Sequence, residues 1–135
     1  MPHTVRDWMS SPVILIDPAT PVSQALTLMR RRNIHSLVID LTENAPAYGI
    51  VTTTDIRDKI VAAGRDPREA LVHDIMTAPV HTATPAWTLQ QASARMQELG
   101  VHHLPVADDH GSLVGMISAT DIFVAVEEAG WEREA

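Results

Sequence analysis

The chain has no cysteine, and this absence removes two kinds of chemistry. Disulfide bonds and thiolate chemistry are excluded, and a cytoplasmic location becomes the default expectation. Long apolar runs are also missing, because none approaches the roughly 20 residues that a membrane helix needs. The first residues have neither the basic start nor the apolar stretch of a signal peptide. No association with a membrane is therefore expected.

The sequence also has few positively charged residues. Lys and Arg number 10 against 17 Asp and Glu, which gives a formal net charge of -7. A general binder of nucleic-acid backbones needs a basic surface, so no nucleic-acid partner is expected. A single nucleotide is not excluded, because a few local donors and dipoles can hold one phosphate. The 135 residues, 45% of them hydrophobic, predict one compact globular unit of ordinary size.

An internal repeat runs through almost the whole chain. Residues 5–13, VRDWMSSPV, align with residues 72–80, VHDIMTAPV. After one deleted residue in the second copy, residues 49–56, GIVTTTDI, align with residues 115–122, GMISATDI. Chance does not preserve order and spacing over that length, so the chain is a tandem duplication. We predict that repeat one covers residues 1–66 and that repeat two covers residues 67–135.

Each copy has the pattern of a strand, a helix, two strands and a final helix, which predicts a mixed α/β (α+β) fold. The predicted strands include 13–16, 37–39, 48–52, 104–107 and 113–118, and the predicted final helices are 55–63 and 121–129. Thr20 is predicted to cap the first long helix, and Thr54 and Thr120 to cap the final helices. Asn33 and Gly100 are predicted to end the middle helices in the left-handed conformation.

Neither copy is expected to be stable alone. At about 60 residues, one copy buries too little surface for comfortable stability. The two copies are expected to pack through their sheets about a pseudo-two-fold axis, as one cooperative module. The connector, residues 64–69, carries helix-stop and helix-start signals and predicts a tight join.

The repeated motifs resemble those of the CBS domain family, in its tandem form of two repeats. The motifs are the Asp-x-Met-x-x-Pro-Val start of each copy, residues 100–106, and residues 49–55 and 115–121. The last two match the family's glycine, two apolar residues, Ser or Thr, two variable residues and Asp. The likeness covers nearly the whole chain. Copy one departs at residues 36–39, where the usual proline is missing, and in its longer hairpin loop.

The resemblance implies a disc-like module with two clefts, each able to hold an adenosine ligand. The motif aspartate would receive the ribose hydroxyls, and a strand entering the other copy would border the adenine. One cleft would use Thr52, Thr54 and Asp55, with Thr77, Ala78, Pro79 and Val80 near the base and His102 and His103 near the phosphates. The other would use Ser118, Thr120 and Asp121, with Ser10, Ser11, Pro12 and Val13, and then His35 and Ser36.

The two aspartates also have a purely structural interpretation. A carboxylate can accept hydrogen bonds from two adjacent ribose hydroxyls in a charge-assisted arrangement. Asp55 and Asp121 are equally suitable at a helix N-terminus, where free backbone N–H groups favour an anion. Both interpretations stay open, and degenerate clefts that bind nothing are a real alternative.

The histidines and arginines also have both a structural and a binding interpretation. His102 and His103 are adjacent on a predicted strand and should point to opposite faces, which is poor geometry for chelation, so no metal site is expected. His35 and His102 are either ordinary hydrogen-bonding residues or phosphate contacts. The run Arg30–Arg32 is either a phosphate patch or a set of cations that offsets the dipole at a helix C-terminus.

The favoured function is a regulatory, ligand-sensing module that is not an enzyme. The sequence shows no nucleophile–base pair, no pair of catalytic acids and no phosphate-gripping glycine loop. The expected ligand is AMP, ADP or ATP, with or without magnesium on its phosphates, or a related adenosyl ligand such as S-adenosylmethionine. No cofactor is required. The alternative is a protein-interaction scaffold with empty clefts.

A homodimer is expected from the apolar residues of the two terminal helices. In a monomeric pair six of them should be partly exposed, namely Ile56, Ile60, Val61, Ile122, Val124 and Val126. A large exposed apolar patch usually marks an interface, and dimerisation through these helices would bury it. Head-to-head and head-to-tail arrangements both stay open. The regulated target is an unknown second protein, or the module acts through the geometry of its dimer.

Overall fold

The computed structural model describes residues 3–11, 13–43 and 46–130. These residues form two compact units that differ from the predicted repeats. The first unit runs from Ile14 to Val80 and is called the Asp55 unit below. The second joins the residues up to Val13 with those from His81 onward and is called the Asp121 unit. The first segment of each sequence repeat therefore belongs to the compact unit formed by the rest of the other repeat, and we call this the exchange of ends.

Helices and strands alternate along the described chain. In order, they are α1 (Val5–Trp8), β1 (Leu15–Ile16), α2 (Val22–Arg32), β2 (Ser36–Ile39), β3 (Gly49–Thr52), α3 (Thr53–Ile56), α4 (Leu89–Leu99), β4 (His103–Ala107), β5 (Leu113–Ser118) and α5 (Ala119–Ala129). A π-helical turn, Arg57–Val61, continues α3, and a 3₁₀ turn covers Val72–Asp74. The predicted mixed α/β fold with strand and helix repeats is confirmed.

The Asp55 unit is built on a three-stranded sheet in the order β1-β2-β3. Strand β1 is parallel to β2, and α2 lies between them in the chain, as a parallel connection requires. Strand β3 is antiparallel to β2, with Ser36 opposite Thr52. Every residue of β2 is buried. The sheet therefore brings the end of β3 beside the start of β2.

The core of the Asp55 unit includes residues that the sequence assigns to the second repeat. Its buried members are Val22, Ala25, Met29, Leu37, Ile39, Val51, Ile56, Ile60, Ala70, Val72 and Ile75. The last three follow the predicted boundary at residue 66. They pack here because Val72 donates its N–H to the Thr20 carbonyl at 2.9 Å and Val22 donates to the Ala70 carbonyl at 2.9 Å.

The Asp121 unit contains the antiparallel pair β4 and β5, with α4 and α5. Its core includes Val5, which is fully buried although it lies at the start of the chain. Val5 donates its N–H to the Trp87 carbonyl at 2.8 Å, and Leu89 donates to the His3 carbonyl at 3.1 Å. Residues 108–111, DDHG, have a sequence pattern that predicts a hairpin turn, and they join β4 and β5 with Gly111 at φ 79°, which confirms the prediction. The first residues of the chain thus complete this core.

The ends of the two long middle helices confirm two predictions and correct a third. Asn33 (φ 53°) and Gly100 (φ 67°) both adopt the left-handed conformation predicted for them. Thr20 does not cap α2, because Pro21 occupies the capping position. The Thr20 carbonyl instead accepts from Val72, which ties Thr20 to the segment that closes the core.

Of the six apolar residues that were predicted to be partly exposed on the terminal helices, three are buried. Ile56, Ile60 and Ile122 are 3%, 0% and 7% exposed, since each packs in the core of its own unit. The exposed large apolar residues of this region are Val61, Phe123, Val124 and Val126. Phe123, which sequence reasoning missed, is 69% exposed.

Among the described residues, no helix has both the length and the hydropathy that are needed to cross a membrane.

A fragment of residues 14–80 is expected to hold more structure than a fragment of residues 1–66, although their lengths are nearly equal. The first retains Ala70, Val72 and Ile75, while the second loses them and gains a segment whose Val5 belongs to the other core. Circular dichroism and the dispersion of NMR spectra measure the difference. A unit of this size is marginal, so the expectation concerns relative order. A better-ordered fragment 1–66 would contradict the exchange of ends, whereas cooperative folding of the two copies stays a separate prediction.

Candidate functional site

The end of β3 holds a reciprocal pair of hydrogen bonds between Thr52 and Asp55. Asp55 donates its backbone N–H to Thr52 Oγ1 at 3.1 Å. In return, Asp55 Oδ2 accepts from the Thr52 N–H at 2.9 Å and from the Thr52 hydroxyl at 3.1 Å. This capping box satisfies donors at the start of the helix. It also fixes the carboxylate at the point where the strand becomes a helix.

The end of β5 repeats the arrangement in the Asp121 unit. Ser118 donates its N–H to Asp121 Oδ2 at 2.8 Å, and Asp121 donates its N–H to Ser118 Oγ at 3.2 Å. The predicted caps Thr54 and Thr120 are therefore wrong. Both lie inside the helices and are exposed, because each helix begins two residues earlier than predicted. The capping role of the two aspartates is the structural interpretation left open above.

A cation distinguishes the two carboxylates. Lys59 Nζ lies 3.3 Å from Asp55 Oδ1 and donates to the Ile75 carbonyl at 2.8 Å. The position four residues after Asp121 is Ala125, which is fully buried. Asp55 therefore uses one oxygen for the cap and the other for an ion pair.

The neighbouring charges have partners of their own. The Arg57 guanidinium donates to Asp58 at 2.8 Å, and this hydrogen bond lowers the pKa of the Asp58 carboxyl below its usual range. A similar bond from Arg68 lowers the pKa of Asp66. Both arginines and Asp58 are exposed and Asp66 is partly exposed, so solvent screens these pairs and their energetic weight is small.

A second strand segment runs beside each carboxylate. In the Asp55 unit, Ile50 and Thr77 exchange two backbone hydrogen bonds, each of 2.9 Å. Gly49 permits this approach, since a Cβ there would lie 2.6 Å from Met76 Sδ and 3.3 Å from the Thr77 carbonyl oxygen. The side chains that follow, at Thr77, Ala78 and Pro79, are exposed, and Val80 is half-buried. The structure thus brings Thr77–Val80 to the same unit as Asp55.

The Asp121 unit has the corresponding segment at the start of the chain. Ser10 and Met116 exchange two backbone hydrogen bonds of 2.9 Å. A Cβ at Gly115 would lie 2.8 Å from the Ser10 carbonyl oxygen, so only glycine fits without a shift. Ser10 and Ser11 are exposed and Val13 is half-buried, whereas the predicted site residue Pro12 lies outside the described residues.

The histidines lie next to the capping residues of their own unit. The His35 carbonyl accepts from the Thr53 N–H at 3.0 Å, and the His102 carbonyl accepts from the Ala119 N–H at 2.9 Å. Ser36 is opposite Thr52, and His103 is opposite Ser118. His35 and His102 are exposed, His103 is half-buried, and Ser36 is only 7% exposed. Their predicted assignment to the cleft of the opposite aspartate stays a prediction.

The remaining candidate binding groups are the arginine run of α2 and the acidic and histidine side chains. Arg30–Arg32 are exposed in the last turn of α2, where they also offset the helix dipole. Within the described ranges, no three or more His, Asp or Glu side chains gather in a way that would hold a metal ion.

A groove of about 320 Å³ opens in the Asp121 unit between the end of α4 and the start of α5. Met96, Val101, Ile122 and Phe123 give it a mainly apolar wall, and His102 lies at its border. Phe123, which is 69% exposed, is the residue through which the exposed apolar surface of α5 reaches this groove. An apolar surface of this kind suits a contact with another chain.

The repeats match a known family. A model of the CBS domain family covers residues 5–62 and, a second time, residues 72–128. The chain therefore belongs to the CBS domain family and forms a CBS-pair regulatory module. The resemblance stated from the motifs is confirmed.

Curated relatives share this module at different total lengths. The uncharacterized protein MK0525 of Methanopyrus kandleri is 34% identical over 110 residues, which cover 82% of this chain and 56% of that protein. The CBS domain-containing protein YhcV of Bacillus subtilis is 28% identical over 121 residues, 90% and 84% of the two chains. An inosine-5'-monophosphate dehydrogenase of Thermoplasma acidophilum is 34% identical over 110 residues, 82% of this chain and 21% of the enzyme. The chain thus spans about half of the first relative and about a fifth of the dehydrogenase.

Two solved structures show the same fold. The hexameric CBS-CP12 protein from bloom-forming cyanobacteria superposes with a TM-score of 0.90 at 26% identity, covering 99% of this chain and 78% of that one. The CBS domain pair of protein MJ0100, in complex with 5'-methylthioadenosine and S-adenosyl-L-methionine, gives a TM-score of 0.82 at 26% identity, covering 96% and 99%.

Sequence reasoning missed Lys59 as a member of the Asp55 site. Its spacing of four residues from Asp55 was a usable signal, because an acid followed four residues later by a lysine pairs on a helix. Its second bond, to the Ile75 carbonyl, could not be foreseen, since it joins groups 16 residues apart in the chain.

Replacing Thr52 with alanine is expected to lower the free energy of unfolding by about 1 kcal/mol, because Asp55 loses the oxygen that accepts its N–H. Ser118→Ala should cost a similar amount. Thr54→Ala and Thr120→Ala are the matched controls and should have little effect, since both hydroxyls are exposed within a helix. Chemical denaturation measures all four variants. Larger losses at Thr54 and Thr120 than at Thr52 and Ser118 would contradict the observed caps.

Proposed function

We propose that the protein senses adenine nucleotides or related adenosyl ligands, with Asp55 and Asp121 as the acceptors of the ribose hydroxyls. The observation that carries this proposal is the repeated placement of a fixed carboxylate at the end of β3 and of β5, each beside an exposed second segment. In both, Oδ2 is held by the cap, so the orientation of Oδ1 is set before any ligand arrives. A fixed acceptor lowers the entropic cost of binding.

The segments beside the carboxylates offer surfaces for a base. Val80 and Val13 are half-buried apolar residues at the ends of those segments. Small-molecule sites combine such apolar walls with a few polar groups that fix orientation. The MJ0100 domain pair, which has the same fold, was solved with two adenosyl compounds, and this supports the ligand class. Magnesium would enter only on the phosphates of ATP or ADP, so no resident cofactor is required.

A scaffold with empty clefts is the second candidate. The cap itself favours it, because both aspartates already have a structural role that needs no ligand. Asp55 has in addition an ion pair with Lys59. The ligand sensor and the scaffold are distinguished by one measurement, which is whether any adenosyl ligand binds to the protein.

We also propose that the protein is not an enzyme and acts through another chain or through its own assembly. A self-association is supported by the exposed apolar residues of α5 and the groove beside them. The CBS-CP12 neighbour is hexameric, which shows that this fold accommodates assemblies. The expected homodimer, the unknown target protein and the cytoplasmic location stay proposals.

Asp55→Asn and Asp121→Asn are each expected to weaken binding of ATP or S-adenosylmethionine at the altered site roughly ten- to a hundredfold, because one charge-assisted hydrogen bond is worth about 1.5–3 kcal/mol. Asparagine keeps an acceptor for the backbone N–H, so the cap survives. Isothermal titration calorimetry measures affinity, with and without magnesium. Asp58→Asn removes the same charge at an exposed position and serves as the control. Absence of heat with every ligand in the unaltered protein would favour the scaffold.

Phe123→Glu is expected to shift a homodimer toward monomer, because it places a charge in the exposed apolar surface beside the groove. Ile122 is unsuitable for this test, since it is buried in the core. Ala129→Glu adds the same charge to an exposed position at the end of α5 and should leave the mass unchanged. Light scattering at micromolar concentration reports the mass. A dimer that survives Phe123→Glu would place the interface elsewhere.

A further inference from the structure

Lys59 is held between the carboxylate of the Asp55 site and the segment that borders it. Its ammonium group lies 3.3 Å from Asp55 Oδ1 and donates to the Ile75 carbonyl at 2.8 Å. Ile75 is two residues before Thr77, the residue that pairs with Ile50. The Asp55 side chain is 17% exposed and that of Lys59 is 46% exposed. The cation therefore stands at the open side of a mostly covered carboxylate.

The π-helical turn explains why a lysine is tolerated there. Ala62 donates its N–H to the Arg57 carbonyl, five residues earlier, at 2.8 Å, and Arg65 donates to the Ile60 carbonyl at 2.9 Å. The wider turn places Ile60 in the core, 0% exposed, and leaves Lys59 at the surface. Single π turns inside helices occur frequently at functional sites.

The second copy has an ordinary helix at this place. Ala119–Ala129 is an α-helix throughout, and Ala125 stands at the repeat position of Lys59. Ala125 is fully buried, so a long charged side chain has no room there. The two copies share the carboxylate and the cap but differ in the cation.

We propose that Lys59 makes the Asp55 site selective for adenosyl ligands with a negatively charged tail, and that the Asp121 site lacks this selectivity. The inference rests on the proposed function and adds to it the charge of the preferred ligand. A ribose hydroxyl can share Oδ1 with the ammonium group, because the bond to Ile75 holds Lys59 in place. The bound ligand then lies beside a fixed positive charge.

The sign of the effect follows from electrostatics. A phosphate tail is attracted to the ammonium group, whereas the S-adenosylmethionine tail is repelled, because its sulfonium and amino groups together outweigh its single carboxylate. For unit charges about 8 Å apart, at an effective dielectric constant of about 20 and a Debye length of about 8 Å, the interaction changes the affinity for each charged tail by about three- to fourfold. The ratio between the two affinities therefore changes by about tenfold. The affinity for a ligand with a neutral tail, such as 5'-methylthioadenosine, should not depend on the charge of Lys59.

The test compares three ligands that share the adenosine group and differ in tail charge: ATP, 5'-methylthioadenosine and S-adenosylmethionine. Asp121→Asn provides the background in which the Asp55 site dominates the calorimetric signal. Lys59→Met is expected to reduce the preference for ATP over S-adenosylmethionine by about tenfold and to leave affinity for the neutral ligand nearly unchanged. Lys59→Arg should retain the preference.

Two further variants separate charge from structure. Lys59→Gln keeps a donor for the Ile75 carbonyl without the charge, and it should lose the preference as Lys59→Met does. Arg57→Met removes the same charge two residues earlier, where the guanidinium faces Asp58, and should leave the preference intact.

The outcomes distinguish the two levels of the proposal. If the three ligands bind and their affinity ratios are the same with lysine, methionine and glutamine at position 59, the selectivity is overturned and Lys59 only stabilises the turn. If none of the three ligands binds to the unaltered protein, the proposed function fails and the selectivity fails with it.

Discussion

The fold depends on one pair of backbone hydrogen bonds in each unit, which we call the bridge. It joins a strand to a distant segment that packs closely against a glycine. Thr77 pairs with Ile50 above Gly49, and Ser10 pairs with Met116 above Gly115. The bridge brings the start of one sequence repeat to the last strand of the other. With it come buried residues such as Val72 in one core and Val5 in the other. Each core includes buried residues of the segment that comes from the other repeat, so the exchange of ends is part of the fold.

The same bridge creates the setting of the candidate site. It aligns an exposed segment with a strand whose last residue begins a capping box. The cap commits Oδ2 of each carboxylate to a backbone N–H, and Oδ1 of Asp55 faces Lys59. Structural and binding interpretations of the aspartates are therefore compatible. The cap orients the carboxylate, and a ligand can bind the oxygen that the cap does not use.

Duplication has produced two sites that are not copies. The Asp55 site has a lysine on a π turn, and the Asp121 site has a buried alanine on a regular helix. In the proposal, the positive charge of Lys59 beside Asp55 favours a ligand whose tail is anionic. Under the proposed function, two unequal sites in one chain would allow a response to the ratio of differently charged ligands, which two equal sites would not give.

The sequence alone determined the local features of this protein. Glycine and asparagine at the ends of α2 and α4, the β4–β5 turn and the repeated motifs with their aspartates depend on residues close together in the chain, so their patterns predicted them. The tertiary structure decided the rest. Three features depend on contacts with residues between 16 and 106 positions away in the chain. They are which segment completes which core, why Pro21 and not Thr20 precedes α2, and which partner Lys59 finds. Propensity and periodicity report on neighbours within one element, whereas burial and hydrogen-bond satisfaction are settled only when distant segments meet.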